Sequence, residues 1–368
     1  MRPVFPTDYD SIKHRVENLD PIAYGKTRNY LNGAVTRLSP FISRGVISTR
    51  QVWQSVLKKG FKPSEIEVFL KELAWRDYFQ LLFEARPKDF DFSDTSFGQE
   101  MPEAVVDADT GIQAIDLAID ELEQTGYMHN HCRMYTASLV CNIAQTHWLA
   151  PAKWMYYHLL DGDWASNAGS WNWVAGSQGR KKYYANQENI NRYTGSNQEG
   201  TFLDIAYESL GQISIPEGLK RKAIVRLQTS LPKTEIPVID PSLPTLVYTY
   251  YNLDPEWRKA ESANRILLLE PDHFSKLPIS SKCLDFALKL AVNIPEIQLF
   301  VGSFEELKKA AGDSTLIFKQ HPLQSHFKGV EDARDWIYPS IKGEFQSFFA
   351  FWRKVEKEIK KETVYENR

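Results

Sequence analysis

Between Thr125 and Trp173 the chain concentrates residue types that can grip a flat, redox-active ring. The run Thr125-Gly-Tyr-Met-His-Asn-His-Cys-Arg-Met134 is followed by Trp148, then by Asp161-Gly-Asp-Trp-Ala-Ser-Asn-Ala-Gly-Ser-Trp-Asn-Trp173. Asn130, Arg133 and Met134 fall at i, i+3 and i+4, so one helical face offers an amide, a cation and a thioether as a pocket wall. A buried Arg133 needs a carboxylate. Asp161 and Asp163, on the Asp-Gly-Asp turn, are the available partners. Asn167, Trp171 and Trp173 follow on the next segment. A structural Arg–Asp pair and a Trp-rich helical core are the plainer explanations of the same pattern. His129, His131 and His158 do not form a metal-ligating set with the nearby carboxylates. They are read as surface or hydrogen-bonding histidines, and no metal is expected.

Two earlier constellations add to this. Glu72, Trp75, Arg76 and Phe79 lie at i, i+3, i+4 and i+7 and share a helix face, where a carboxylate, an indole and a guanidinium could hold a base-like substrate. In Thr36-Arg-Leu-Ser-Pro40, Ser39 is predicted to cap a helix beginning at Pro40, leaving free N–H groups beside two hydroxyls and Arg37 for an anion.

The 368 residues suffice for two domains. A formal net charge of −3 is less than a DNA-binding protein usually carries, although it does not exclude a local basic groove. Cys132, Cys141 and Cys283 have no metal-ligand spacing and no disulfide framework, which points to a reducing compartment. There is no leader-like start and no apolar run of about 18 residues, so a cytoplasmic protein without a membrane partner is expected.

The positioning elements follow from periodicity. Residues 1–210 read as helices joined by short loops. Ser48-Thr-Arg-Gln51 is a capping box, with Gly60 ending that helix. Ile66 to Glu84 is helical until Pro87. Ile112, Ile115, Ile119 and Leu122 form one face of a helix from Ile112 to Glu123. Met134 to Trp148 and Trp154 to Leu160 read as two more helices. Residues 211–245 form a Pro-punctuated connector. Residues 246–368 then alternate apolar runs at 265–269, 297–301 and 315–319 with helices at 281–292 and 304–311. This is a small α/β domain with a parallel three-stranded sheet, closed by a helix from about Gly343 to Lys361. The fold class is mostly α, followed by this small α/β unit.

These motifs together resemble the flavin-binding domain of the DNA photolyase/cryptochrome family. The shared residues are Thr-Arg-Leu-Ser-Pro (36–40) with Gly45 and Ser48, Glu-Leu-Ala-Trp-Arg-Asp-Tyr (72–78), Thr125 to Met134, Asp161 to Asn167 and Gly-Ser-Trp-Asn-Trp (169–173). They span roughly residues 20 to 205. The resemblance implies FAD in a helical bowl. Tyr24, Thr36 and Ser39 would be on its diphosphate side, Arg133 would pair with Asp161, Asp163 would be at the flavin or its ribose, and Asn167 would face the flavin N5. Glu72, Trp75, Asn130, Met134 and Trp173 would line a lesion pocket of the kind that splits cyclobutane pyrimidine dimers. Related (6-4) enzymes usually carry histidine where Asn130 stands. Arg28, Arg76, Arg180, Lys181 and Lys182 would contact phosphates of damaged DNA, single-stranded or duplex. The implied reaction is light-driven electron transfer from reduced FAD to the dimer. The alternative is a cryptochrome-like photoreceptor read by a signalling partner. A monomer is expected.

Two departures stand out. Trp171 and Trp148 match the first two members of the family's tryptophan relay, but no tryptophan lies between Trp75 and Trp148 for the third. The α/β unit follows the flavin domain, where the family normally places it first. That shortened, rearranged unit argues against an antenna pigment.

Overall fold

The computed structural model describes residues 3–93, 98–177 and 181–366. Its first part is a helical assembly: α1 (Tyr9–Glu17), α2 (Pro21–Thr27), α3 (Ser39–Ser43), α4 (Thr49–Lys58) and α5 (Glu67–Ala85). A short strand β1 (Glu100–Pro102) and α6 (Glu103–Val106) precede α7 (Gln113–Thr125), α8 (Asn130–Ser138), α9 (Leu149–His158), α10 (Trp164–Val174) and α11 (Gln187–Thr194). Strand β2 (Lys222–Ile224) pairs antiparallel with β1.

Local chemistry explains most boundaries. Ser48 and Gln51 form the reciprocal capping box at α4. Gly126, at φ 75°, supplies the left-handed residue that ends α7. Ile112, Ile115, Ile119 and Leu122 are all buried on one stripe. The run from Met134 to Trp148 is not one helix. It begins earlier, at Asn130, passes through a π turn at Leu139–Ile143 and stops before Gln145, whose φ is +51°. Trp148 instead precedes α9, which starts at Leu149 rather than Trp154. The apolar residues continue across the break because both segments are buried, so periodicity hides it.

The second part is a five-stranded parallel sheet, not a three-stranded one. It contains β3 (Thr245–Tyr248), β4 (Asn264–Leu269), β5 (Gln298–Val301), β6 (Leu316–Lys319) and β7 (Val330–Asp332) in the order β5-β4-β3-β6-β7. Helices α12 (Pro271–Lys276), α13 (Ser281–Ala291) and α14 (Phe304–Ala311) connect strands. Strand β3 directly follows Pro244 and blends with the proline-rich connector. Strand β7 is a short edge with two exposed residues and no apolar run. Only β7 lacked a sequence signal; the buried run Thr245-Leu-Val-Tyr248 carries one that the adjoining prolines obscure. The order reverses between β3 and β6, and the crevice at their carboxyl ends faces the helical part.

The last helix, α15 (Phe348–Glu366), begins later than Gly343. Ser347 starts it, its hydroxyl accepting from the N–H of Ala350. Helix α15 packs along α5, with Phe348, Phe351, Trp352 and Val355 buried. One hydrophobic core runs through both parts, from Leu70 and Trp164 to Tyr248 and Trp352.

Candidate functional site

The Asp-Gly-Asp turn (161–163) is the hub of the candidate site. Asp161 is buried, and Arg133 Nη2 donates to both its oxygens, at 2.9 and 3.1 Å. Arg133 Nε donates to Met128 O at 2.8 Å, which locks the guanidinium across the start of α8. Burial alone would raise the Asp161 carboxyl. The Arg133 charge and hydrogen bond, with a bond from Ser39, outweigh it and hold Asp161 below the usual carboxylate range.

Ser39 does not cap its helix. Leu38 occupies the cap position and makes no side-chain cap bond, and α3 spans only Ser39–Ser43. The Ser39 hydroxyl goes to Asp161 instead, and the Thr36 hydroxyl accepts from Leu38 N at 3.4 Å. Ser43 Oγ donates to Asp161 O at 2.7 Å, so α3 is fastened to the turn along its length.

Asp163 caps α10 by accepting from Ser166 N at 2.8 Å. Gln80 donates to its other oxygen. Arg76 lies 3.9 Å from Asp163 and donates to Ser43. It is turned inward, one helical turn from Gln80, toward Asp163 and Ser43. Asn167 donates to Ala152 O at 2.8 Å, which orients its amide between α9 and α10. Trp171, two turns along α10 from Trp164, is buried.

The lesion-pocket candidates are more open. Asn130 is exposed at the start of α8, with its amide 3.8 Å from the Met134 sulfur. Glu72, Trp75 and Met134 are half-buried, and Trp173 is 44% exposed. Trp173 lies against Tyr183, with ring centroids 5.6 Å apart. Glu72 accepts from Arg28 Nε at 3.1 Å, so Arg28 serves a carboxylate here rather than standing free for phosphate. Burial raises the Glu72 carboxyl, and Arg28 opposes that. Tyr24 meets Phe69 edge-on at 5.2 Å, and burial raises its phenol. Lys181 and Lys182 are exposed, while Arg180 lies outside the described residues. Trp148 is buried beside His147, with ring centroids 5.7 Å apart.

The histidines are less superficial than the sequence suggests. His129 is buried and accepts from His131 N at 3.2 Å. Burial, with the charges of His131 and Arg133, pushes its pKa down to about 4. Burial brings His131 and His158 to about 4 as well.

Four partners were not singled out from sequence: Ser43, Gln80, Arg44 and Asp77. Gln80 and Asp77 follow Arg76 on α5, so helical spacing was the signal that could have found them. Arg44 had none. It is fully buried, donates to Gly162 O and lies 3.5 Å from the Tyr250 ring centre, a contact made across more than 200 positions.

A polar cavity of about 110 Å³ lies between Asp163, Arg76 and Gln80 on one side and Tyr251, Lys319 and His321 on the other. The candidate cofactor segments themselves carry buried polar atoms that lack a protein partner: Arg37 Nε, Gln80 Oε1, His129 Nε2 and Ser166 Oγ. Unpaired donors and acceptors flanking a fixed Arg–Asp pair fit a polar ligand such as a flavin dinucleotide.

Residues 69–204 match the FAD-binding domain of DNA photolyase. Over this domain the chain is similar to photolyases and cryptochromes. It is 33% identical over 169 residues to a deoxyribodipyrimidine photo-lyase of Synechococcus, covering 42% of this chain and 35% of the relative. It is 30% identical over 188 residues to a cryptochrome DASH of Natronomonas pharaonis, covering 46% and 39%. The chain thus spans little more than a third of the curated relatives it matches. A crystal structure of a Synechocystis cryptochrome aligns at a TM-score of 0.47 and 26% identity, covering 52% of this chain and 44% of that one. Among the described residues no helix is long and apolar enough to cross a membrane.

Proposed function

We propose that this protein repairs cyclobutane pyrimidine dimers in DNA by light-driven, FAD-dependent electron transfer. The observation that carries the reading is a gradient across the site. Arg133, Asp161, Asp163, Asn167 and Trp171 are buried or half-buried behind the opening. Glu72, Trp75, Asn130, Met134 and Trp173 stand nearer solvent, where a flipped-out pyrimidine dimer could reach them. FAD, when bound, supplies the light absorption and the electron.

The protein's own residues do the rest. Arg133 and Asp161 form a fixed, neutral pair beside the cofactor segments. Tyr24, Thr36 and Ser39 lie on the dinucleotide side. Asn167, held by Ala152, presents an oriented amide. Trp75 and Trp173 offer stacking faces for the dimer, and Glu72, neutralised by Arg28, offers a carboxyl to hydrogen-bond its bases. Among the described candidates, Lys181 and Lys182 are exposed and would meet phosphate.

The test is illumination of reduced, flavin-loaded protein with dimer-containing single-stranded and duplex oligonucleotides, against a dark control. Dimer loss under blue light alone is expected. Its absence in both strand forms, with flavin bound, would leave the second reading, a cryptochrome-like photoreceptor acting through a signalling partner. The similarity to a cryptochrome DASH favours that reading, as does a relay with no third tryptophan between Trp75 and Trp148.

A further inference from the structure

Helix α15 touches the proposed substrate wall at one point. The ring of Phe348 lies parallel to the Trp75 indole, 3.8 Å between centroids and 8° between planes. Phe348 is only 3% exposed. Behind it, Trp352 stacks at 6.3 Å and 21°, and Lys71 Nζ lies 5.4 Å from the Trp352 ring centre. Tyr78 meets both Trp75 and Phe348 edge-on, at 5.5 and 5.9 Å. Trp75 thus leans on a buried aromatic stack that begins in α5 and ends in α15. Amid these contacts Trp75 remains half-buried, so part of its ring stays open.

We propose that Phe348 is a positioning residue for recognition of damaged DNA, and that α15 thereby completes the substrate pocket of the helical domain. This rests on the repair reading above. A tryptophan on an open helix face samples several rotamers, and a ligand that stacks on it must freeze one. Phe348 freezes Trp75 in advance, with its indole plane set by an 8° stack, so the dimer meets a prepared surface. A cover that swings aside would be loosely held. Phe348, Phe351, Trp352 and Val355 are instead all buried, as the fixed wall of a core is.

The experiment measures affinity of the flavin-loaded full chain for an oligonucleotide with one thymine dimer and for its undamaged twin. Phe348→Ala is expected to weaken dimer binding about 3- to 10-fold and to leave undamaged binding and flavin content unchanged. The KM of repair should rise while kcat at saturating DNA stays near wild type. Phe348→Trp, which keeps an aromatic plane, should restore discrimination. Phe348→Leu, which keeps core volume, should not, and it serves if the alanine variant folds poorly. Unchanged discrimination in both the alanine and leucine variants would overturn the proposal. Tighter dimer binding would overturn it too, since α15 would then be a cover over Trp75. If wild-type protein shows no preference for the dimer, the repair reading itself fails and takes this inference with it.

Discussion

Arg133 Nη2 sits between the two oxygens of Asp161, at 2.9 and 3.1 Å, while its Nε is spent on Met128 O. One guanidinium therefore joins α8 to the Asp-Gly-Asp turn and brings a cation to the candidate flavin site with its charge already matched. Removing one partner of a buried pair is costly because the other charge stays behind. Asp161→Asn should destabilise the fold by about 3 kcal/mol and reduce flavin retention, as checked by urea unfolding and by absorbance of the purified protein. The folded Asp161 carboxyl titrates below its ordinary 3.8. Its stabilisation is therefore present above that value and is lost as pH falls through the folded pKa.

Asp77 has the opposite sign. Burial pushes its pKa from 3.8 up to about 6, despite hydrogen bonds from Ile337 N and Thr49. The unfolded chain releases this proton first, so stability falls as pH rises across that window, by roughly 3 kcal/mol in total. Asp77→Asn should flatten this component of the pH dependence between about pH 4 and 6. Denaturation midpoints of the two proteins measured at half-unit steps would reveal it, and parallel curves would contradict it.

Glu72→Ala should slow dimer repair by about 10- to 100-fold, the worth of a hydrogen bond involving a charged group, while flavin stays bound. Single-turnover repair and flavin absorbance read the two effects separately. Loss of flavin in this variant would mean Glu72 belongs to the cofactor rather than to the dimer.

Gly169 faces α5 so closely that an added Cβ would lie 2.5 Å from two carbons of the Phe79 ring. That ring already packs on Trp75, with centroids 5.4 Å apart, so it cannot simply swing away. Gly169→Ala should cost about 1–3 kcal/mol through overpacking, more than the roughly 1 kcal/mol a helix gains from the exchange. Thermal unfolding checks the sign.

Lys181 and Lys182 are exposed just after α10. Replacing both with Glu should weaken DNA binding without regard to sequence and lower the slope of log K against log salt by up to about 2 for duplex DNA. An unchanged slope would remove them from the interface.

How far the sequence could be read depended on the range of the interaction. Glu72 and Trp75, or Asn130 and Met134, share a helix face by spacing alone. The Arg133–Asp161 pair was one of two partnerships that charge compensation allowed, and the motif resemblance already singled out Asp161, which the packing matches. Where Ser39 was expected to cap its own helix, Asp161 competed for its hydroxyl and won. Arg28 and Arg76 were expected to face phosphate, but each found a carboxylate, Glu72 or Asp163, closer at hand.

By itself, the sequence determined the helical flavin-type domain, the side chains at its hub and the parallel alternation that follows, because these rest on periodicity, capping and motifs within a few turns. Tertiary structure alone decided the edge strand β7, Arg44 beneath Tyr250 and the stack of Phe348 on Trp75. The last two contacts join residues more than 200 positions apart, and no local pattern encodes which distant surfaces will bury one another.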